Sequence, residues 1–141
     1  MQREDCVIYT ATAAMGRTVR GRAMVASDGF SARYDLDRIA GVFSRPQHAL
    51  FGRSYVGVVL ILDRIKGGVA TAWMLHEMRA RGIVPAAFVF NTVNPIMVQG
   101  AALADVRMMS GFEVDITKAV PDGAPVEVDV QATPPVLRVL A

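Results

Sequence analysis

The chain has only one cysteine, Cys6. An intrachain disulfide is thereby excluded, and neither an iron-sulfur cluster nor a structural zinc site can be assembled from this chain alone. There are only two histidines, His48 and His76, with no ligand spacing between them, so no metal site is expected here. Charge is also sparse and balanced: 15 Lys and Arg stand against 13 Asp and Glu, a net +2. The basic residues are scattered rather than gathered into a stripe, which gives nucleic-acid binding no support. An unbroken hydrophobic span is lacking too. The apolar stretch from Gly82 to Ala104 is interrupted by Pro85, Asn91, Asn94, Pro95 and Gln99, so no transmembrane helix is expected. Cys6 to Met15, preceded by Glu4 and Asp5, makes a poor signal peptide. A cytoplasmic protein is the expectation.

Apolar residues, by contrast, are plentiful, at 52% of 141 residues. That length suits a single domain over residues 1–141 with a core of its own, and the surplus implies that some apolar surface is covered by another chain. Cys6 to Ala13 and Val19 to Ala26 read as strands, followed by a long polar and aromatic connection from Ser27 to Ser54. A connection of that length in a small domain is commonly functional. Strand and helix then alternate: Tyr55 to Leu62, helix Ala70 to Arg81, Ala86 to Phe90, helix Pro95 to Ala104, Val106 to Met109. Such alternation implies parallel strands joined by right-handed βαβ crossovers, an α/β fold. Gly82 is placed to end the first helix, and Asn94 and Pro95 to start the second. Val126, Val128 and Val130, then Val136 to Leu140, predict a closing antiparallel pair.

Lys66-Gly67-Gly68 lies between a strand and a helix N-terminus. Paired glycines leave backbone N–H groups uncovered, and the helix start adds unpaired donors and partial positive charge, so a small anion can dock there. On the helix, Thr71, Met74, Leu75 and Met78 form one stripe toward the sheet. Trp73 falls on roughly the opposite side. It packs either under a neighbouring loop or against a partner, where tryptophan is enriched.

His48-Ala49-Leu50-Phe51-Gly52-Arg53-Ser54, Gly57-Val58-Val59-Leu60, the glycine loop, Gly82-Ile83-Val84-Pro85-Ala86-Ala87, Asn94-Pro95-Ile96 and Gly100-Ala101 together resemble the aconitase X small subunit, the swivel-domain family. The resemblance covers nearly all of the chain after about residue 16. It implies an aconitase swivel-like β/β/α domain with a mixed, partly closed barrel. It also implies a two-chain dehydratase, acting for example on cis-3-hydroxy-L-proline or phosphorylated mevalonate. An aconitase X type large subunit would carry the iron or iron-sulfur centre, a Lewis acid for the leaving hydroxyl, and this chain would carry no cofactor.

Two departures shape the site expected from that resemblance. Members that supply the base from the small subunit carry a serine-rich loop, roughly Arg-Gly-Ser with a further serine. Here Gly68 stands at the first serine's place and Ala72 near the second. Thr71 is the one hydroxyl left and hence the candidate catalytic residue. Its place on the core stripe points inward, and a lone hydroxyl needs a neighbouring base or metal. Phe30-Ser31-Ala32-Arg33 resembles the family's Leu-Ser-Phe stretch, so Ser31 and Arg33 join Lys66, Gly67 and Gly68 as candidate binders of a small anionic substrate. Arg33 reads equally well as a surface partner of Asp35 and Asp37.

Competing motifs fail. In a Walker A loop the lysine follows the glycines, and the phosphohistidine swivelling domain needs a histidine near Ala72. His48 is expected to be structural and His76 exposed. The reading is a swivel subunit of a dehydratase for a small hydroxy acid such as a 3-hydroxyproline. A noncatalytic anion-binding or assembly module that has lost the serine is the alternative.

Overall fold

Two runs without a polar residue, Val59 to Leu62 and Ala87 to Phe90, are buried from end to end. Strands covered on both faces read this way, because alternate side chains enter two different cores. The computed structural model describes residues 7–31, 34–66, 69–103 and 105–140, with the backbone alone for Val69 and Ala70. In chain order its elements are β1 (Val7–Met15), β2 (Val19–Val25), β3 (Leu36–Asp37), β4 (Val42–Phe43), β5 (Val59–Arg64), α1 (Val69–Arg81), β6 (Ala87–Thr92), α2 (Pro95–Leu103), β7 (Met108–Phe112), α3 (Ile116–Ala119), β8 (Pro125–Asp129) and β9 (Val136–Val139).

Seven of these strands close a mixed barrel in the order β1-β7-β6-β5-β2-β8-β9, with β9 returning to β1. β2, β5, β6 and β7 run parallel, and the remaining pairs are antiparallel. Val59, Ile61, Ala87 and Val89 point into the barrel with Ala23, Val126 and Leu137. Leu60, Leu62, Phe88 and Phe90 point outward, under α1, α2 and the long connection.

The helix boundaries follow their punctuation. Gly82 has a left-handed φ of 74°, and Ile83 donates its N–H to Met78 O at 3.0 Å, closing α1. Asn94 Oδ1 accepts from the Met97 N–H at 2.9 Å, capping α2. The two helices approach closely where Gly100 faces Ala72. A Cβ at Gly100 would lie 2.4 Å from that of Ala72, so a side chain there forces the helices apart.

Residues 27–54, expected as an irregular connection, hold the β3–β4 hairpin and the fully buried Phe30 and Phe43. The Phe30 ring centre lies 5.4 Å from that of Phe88 and 6.2 Å from that of Phe90, so this segment forms part of the outer core. The strand expected from Tyr55 starts four residues later. Gly57 takes φ 74°, which an extended strand cannot include, and the chain turns before Val59. β7 likewise starts at Met108, because Val106 spends its N–H on Ala101 O at the end of α2. The one-turn α3 has too few residues to show a helical period.

Tyr55 is fully buried, and among the described residues its hydroxyl has no hydrogen-bond partner. Burial pushes its pKa up to about 12. Tyr55→Phe removes an unsatisfied polar atom and keeps the ring, so the variant is expected to be as stable as the wild type or more so. In the wild type the raised pKa means that full stability holds below pH 10, the unfolded value. Stability then falls as pH rises toward 12, and the variant lacks this loss. Urea midpoints measured from pH 8 to 11 check both statements.

Candidate functional site

In sheets with parallel strands, ligand sites gather beyond the carboxyl ends of the strands. At that edge, β5 runs on into Ile65, which forms a parallel bridge with Phe30. The Phe30 N–H donates to Arg64 O at 2.8 Å and the Lys66 N–H to Phe30 O at 2.7 Å. Backbone pairing thus places Ser31 and Lys66, 35 positions apart in sequence, on adjoining strands of chain. Gly29 makes room for the lysine: a Cβ there would sit 2.8 Å from Lys66 Cε and 3.4 Å from Nζ. Lys66 is exposed, and among the described residues no carboxylate pairs with it.

The segment bearing Gly29 and Ser31 is held from beneath. His48 Nδ1 accepts the Leu50 N–H at 3.1 Å, which leaves Nε2–H to donate to Gly29 O at 2.9 Å. The ring is buried and stacks on Phe43 at 4.6 Å, so His48 positions the turn, in line with the structural role expected for it. Asp28 accepts N–H bonds from Ala49 and Gly29. Burial opposes its ionisation, but these bonds hold its carboxyl below the usual range. The buried Asp35 carboxylate accepts the Ser31 N–H at 2.8 Å and pairs with Arg45. Ser31 Oγ accepts the Tyr34 N–H at 3.3 Å.

Of the other residues singled out in the sequence, Thr71 is buried, 4% exposed, on the inner face of α1 with Leu75 and Met78. Ala72 meets Gly100 at the α1–α2 contact. Trp73 is 68% exposed and touches His76 edge-on, ring centres 6.0 Å apart. Arg33, Gly67 and Gly68 lie outside the described residues.

A second cluster at the same edge escaped the sequence reading. Asn91, on β6, donates to Asp63 Oδ1 on β5 at 3.0 Å and to Asp115 Oδ1 at 2.9 Å, and accepts the Ile116 N–H at 2.8 Å. Asp115 caps α3 and accepts from the Thr117 hydroxyl at 2.6 Å, and that hydroxyl lies 3.0 Å from Ser27 Oγ. The Thr117 hydroxyl, then the Asn91 amide, hold the Asp115 carboxyl below its ordinary value. The available signal was positional: Asp63 and Asn91 each follow directly on an apolar strand run. Among the described residues no group of three or more His, Cys, Asp or Glu side chains is placed to hold a metal ion. Nor is any helix long and apolar enough to cross a membrane.

A profile of the aconitase X swivel domain matches residues 8–134. The chain belongs to that family. The phosphomevalonate dehydratase small subunit of Methanothrix thermoacetophila is 34% identical over 114 residues, 81% of this chain and 82% of that one. The protein of the same name from Methanocella arvoryzae is 29% identical over 81% of this chain and 86% of its own. Aconitase X of Thermococcus kodakaraensis, solved in its holo form, superposes with a TM-score of 0.85 over 96% of this chain and 99% of the matched one, at 20% identity. The swivel fold expected from the resemblance is therefore the fold observed. Its barrel closes completely, through the β1–β9 pairing.

Proposed function

We propose that this chain is the small, swivel subunit of an aconitase X type dehydratase. Its substrate is a small anionic hydroxy acid, bound between this subunit and a large subunit that carries the iron centre. The observation that carries the reading is the Phe30–Ile65 bridge that sets Lys66 and Ser31 on adjoining strands at the carboxyl edge, with an exposed ammonium that no described carboxylate neutralises. Lys66 grips a carboxylate or phosphate, and Ser31, Arg33 and the N–H groups of Gly67 and Gly68 complete the cradle. Closure of the swivel over the large subunit excludes water and strengthens these contacts. Thr71 serves packing in this assignment, and proton abstraction falls to the large subunit. Of the two substrates that the family resemblance implies, the names of the relatives favour a phosphorylated mevalonate over a 3-hydroxyproline.

The test is co-expression with the cognate large subunit. The two chains are expected to copurify, and only the pair should dehydrate a phosphorylated mevalonate, with 3-hydroxyproline as the comparison substrate. Dehydration by this chain alone would overturn the division of labour. Gly68 and Ala72, at the places of the family's serines, favour a second reading: an anion-binding or assembly module without catalysis. A stable, iron-loaded pair inactive across a panel of hydroxy acids would select it.

A further inference from the structure

At the opposite, amino edge of the parallel strands, Arg17, Arg79 and Arg107 line one cavity of about 120 Å³ together with Asp105. Three distant parts of the chain meet there. Arg107 directly precedes β7, Arg17 follows β1, whose Met15 pairs with Met108, and Arg79 lies in the last turn of α1. Gly16, with φ 95°, lets the Arg107 stem cross it: a Cβ there would be 2.9 Å from Arg107 Cγ.

Three arginines and one aspartate line this space, a surplus of two positive charges in a volume equal to about four water molecules. Asp105 engages Arg79 through its backbone oxygen at 3.3 Å and its carboxylate at 3.5 Å, and among the described residues its carboxylate pairs with no other arginine. Arg107 donates to Ala86 O from one terminal nitrogen at 3.4 Å, while its buried Nε has no partner among the described residues. Guanidinium forks match tetrahedral oxyanions, and a surplus of like charge in one cavity favours an anion that neutralises it.

We infer that this cavity is a binding site for a phosphate group, free or as a small phosphomonoester, separate from the Lys66 edge and independent of the dehydratase reading. Asp105 is the built-in check on its affinity. The residue ends α2 in the left-handed region, φ 57°, which asparagine also accepts, so Asp105→Asn removes the carboxylate without disturbing the turn.

Orthophosphate and glycerol 3-phosphate are titrated against the full chain, chloride holding the ionic strength constant, with calorimetry and the arginine Nε–H NMR signals as readouts. Saturable orthophosphate binding that shifts Arg107 Nε–H is expected, lost in the Arg17→Gln/Arg107→Gln double variant and about fivefold tighter in Asp105→Asn. Equal binding of glycerol 3-phosphate supports the monoester as ligand, and orthophosphate alone supports the free ion. Absence of saturable binding, or binding unchanged in the double variant, overturns the inference. Weakened pairing of that variant with the large subunit, without phosphate binding by the wild type, also overturns it and makes the cluster a protein contact.

Discussion

Replacing Lys66 with methionine is expected to lower kcat/KM of the assembled two-chain enzyme by about 30- to 100-fold, the worth of a hydrogen bond between charged partners. The loss should fall mainly on KM. A cation that grips a non-reacting carboxylate or phosphate binds ground and transition states alike, and removing such uniform binding leaves kcat nearly unchanged. Lys66→Arg should restore part of the loss, because the charge survives while the point geometry does not. The fold should not respond, since the side chain is exposed and makes no ion pair among the described residues. Gly29→Ala offers a second handle on the same residue. Gly29 lies outside the left-handed region, so alanine fits its backbone, but the new Cβ would meet Lys66 Cε at 2.8 Å and push the ammonium aside. A rise in KM at unchanged melting temperature is the expected result. Kinetics unaltered in both variants would remove Lys66 from the substrate site.

How far the sequence reveals these arrangements depends on whether the determining contact is local. The β5-α1-β6-α2-β7 alternation was readable because each signal lies within a few positions: apolar runs at Val59 and Ala87, Gly82 after Arg81, Asn94 before Pro95. Residues 27–54 were not. Phe30, Phe43 and Leu50 enter the outer core without any period, and only the tertiary fold tells them from exposed neighbours such as Phe51. The site divides along the same line. Lys66 stands out beside its glycines, whereas its placement on a strand adjoining that of Ser31 depends on the Phe30–Ile65 parallel bridge formed on folding. Asp63 and Asn91 are 28 positions apart and meet only through the β5–β6 register, in which Leu62 faces Phe90 and Arg64 faces Thr92.

Trp73→Ala is expected to weaken association with the large subunit by about 30-fold or more, the cost of truncating a central aromatic anchor. On α1 the stripe of Thr71, Leu75 and Met78 faces the core, while Trp73 points away and is 68% exposed. It is not isolated. The close Ala72–Gly100 contact draws α2 alongside, so that Ile96, 50% exposed, and Leu103, 79% exposed, join Trp73 and His76 around an apolar groove of about 390 Å³. Single exposed apolar residues are ordinary, but a contiguous apolar groove marks an interaction surface. The large subunit is the expected occupant. Trp73 and Ile96 lie near the N-termini of α1 and α2, which begin at the carboxyl ends of β5 and β6, the edge that carries Lys66. A large subunit that closes over Lys66 therefore reaches the groove without leaving the surface. Because Trp73 packs on little else in its own chain, the isolated variant should stay within about 0.5 kcal/mol of wild-type stability. Leu103→Glu, which places a charge in the groove, should weaken pairing further and likewise spare the fold. Titration of the large subunit by calorimetry gives the affinities. At saturating large subunit, kcat of the Trp73→Ala pair should return to the wild-type value if the ring holds the partner and does not touch substrate. A several-degree fall in melting temperature with normal pairing would instead make Trp73 a packing residue of this chain, and a kcat that stays low at saturation would place it in the substrate site.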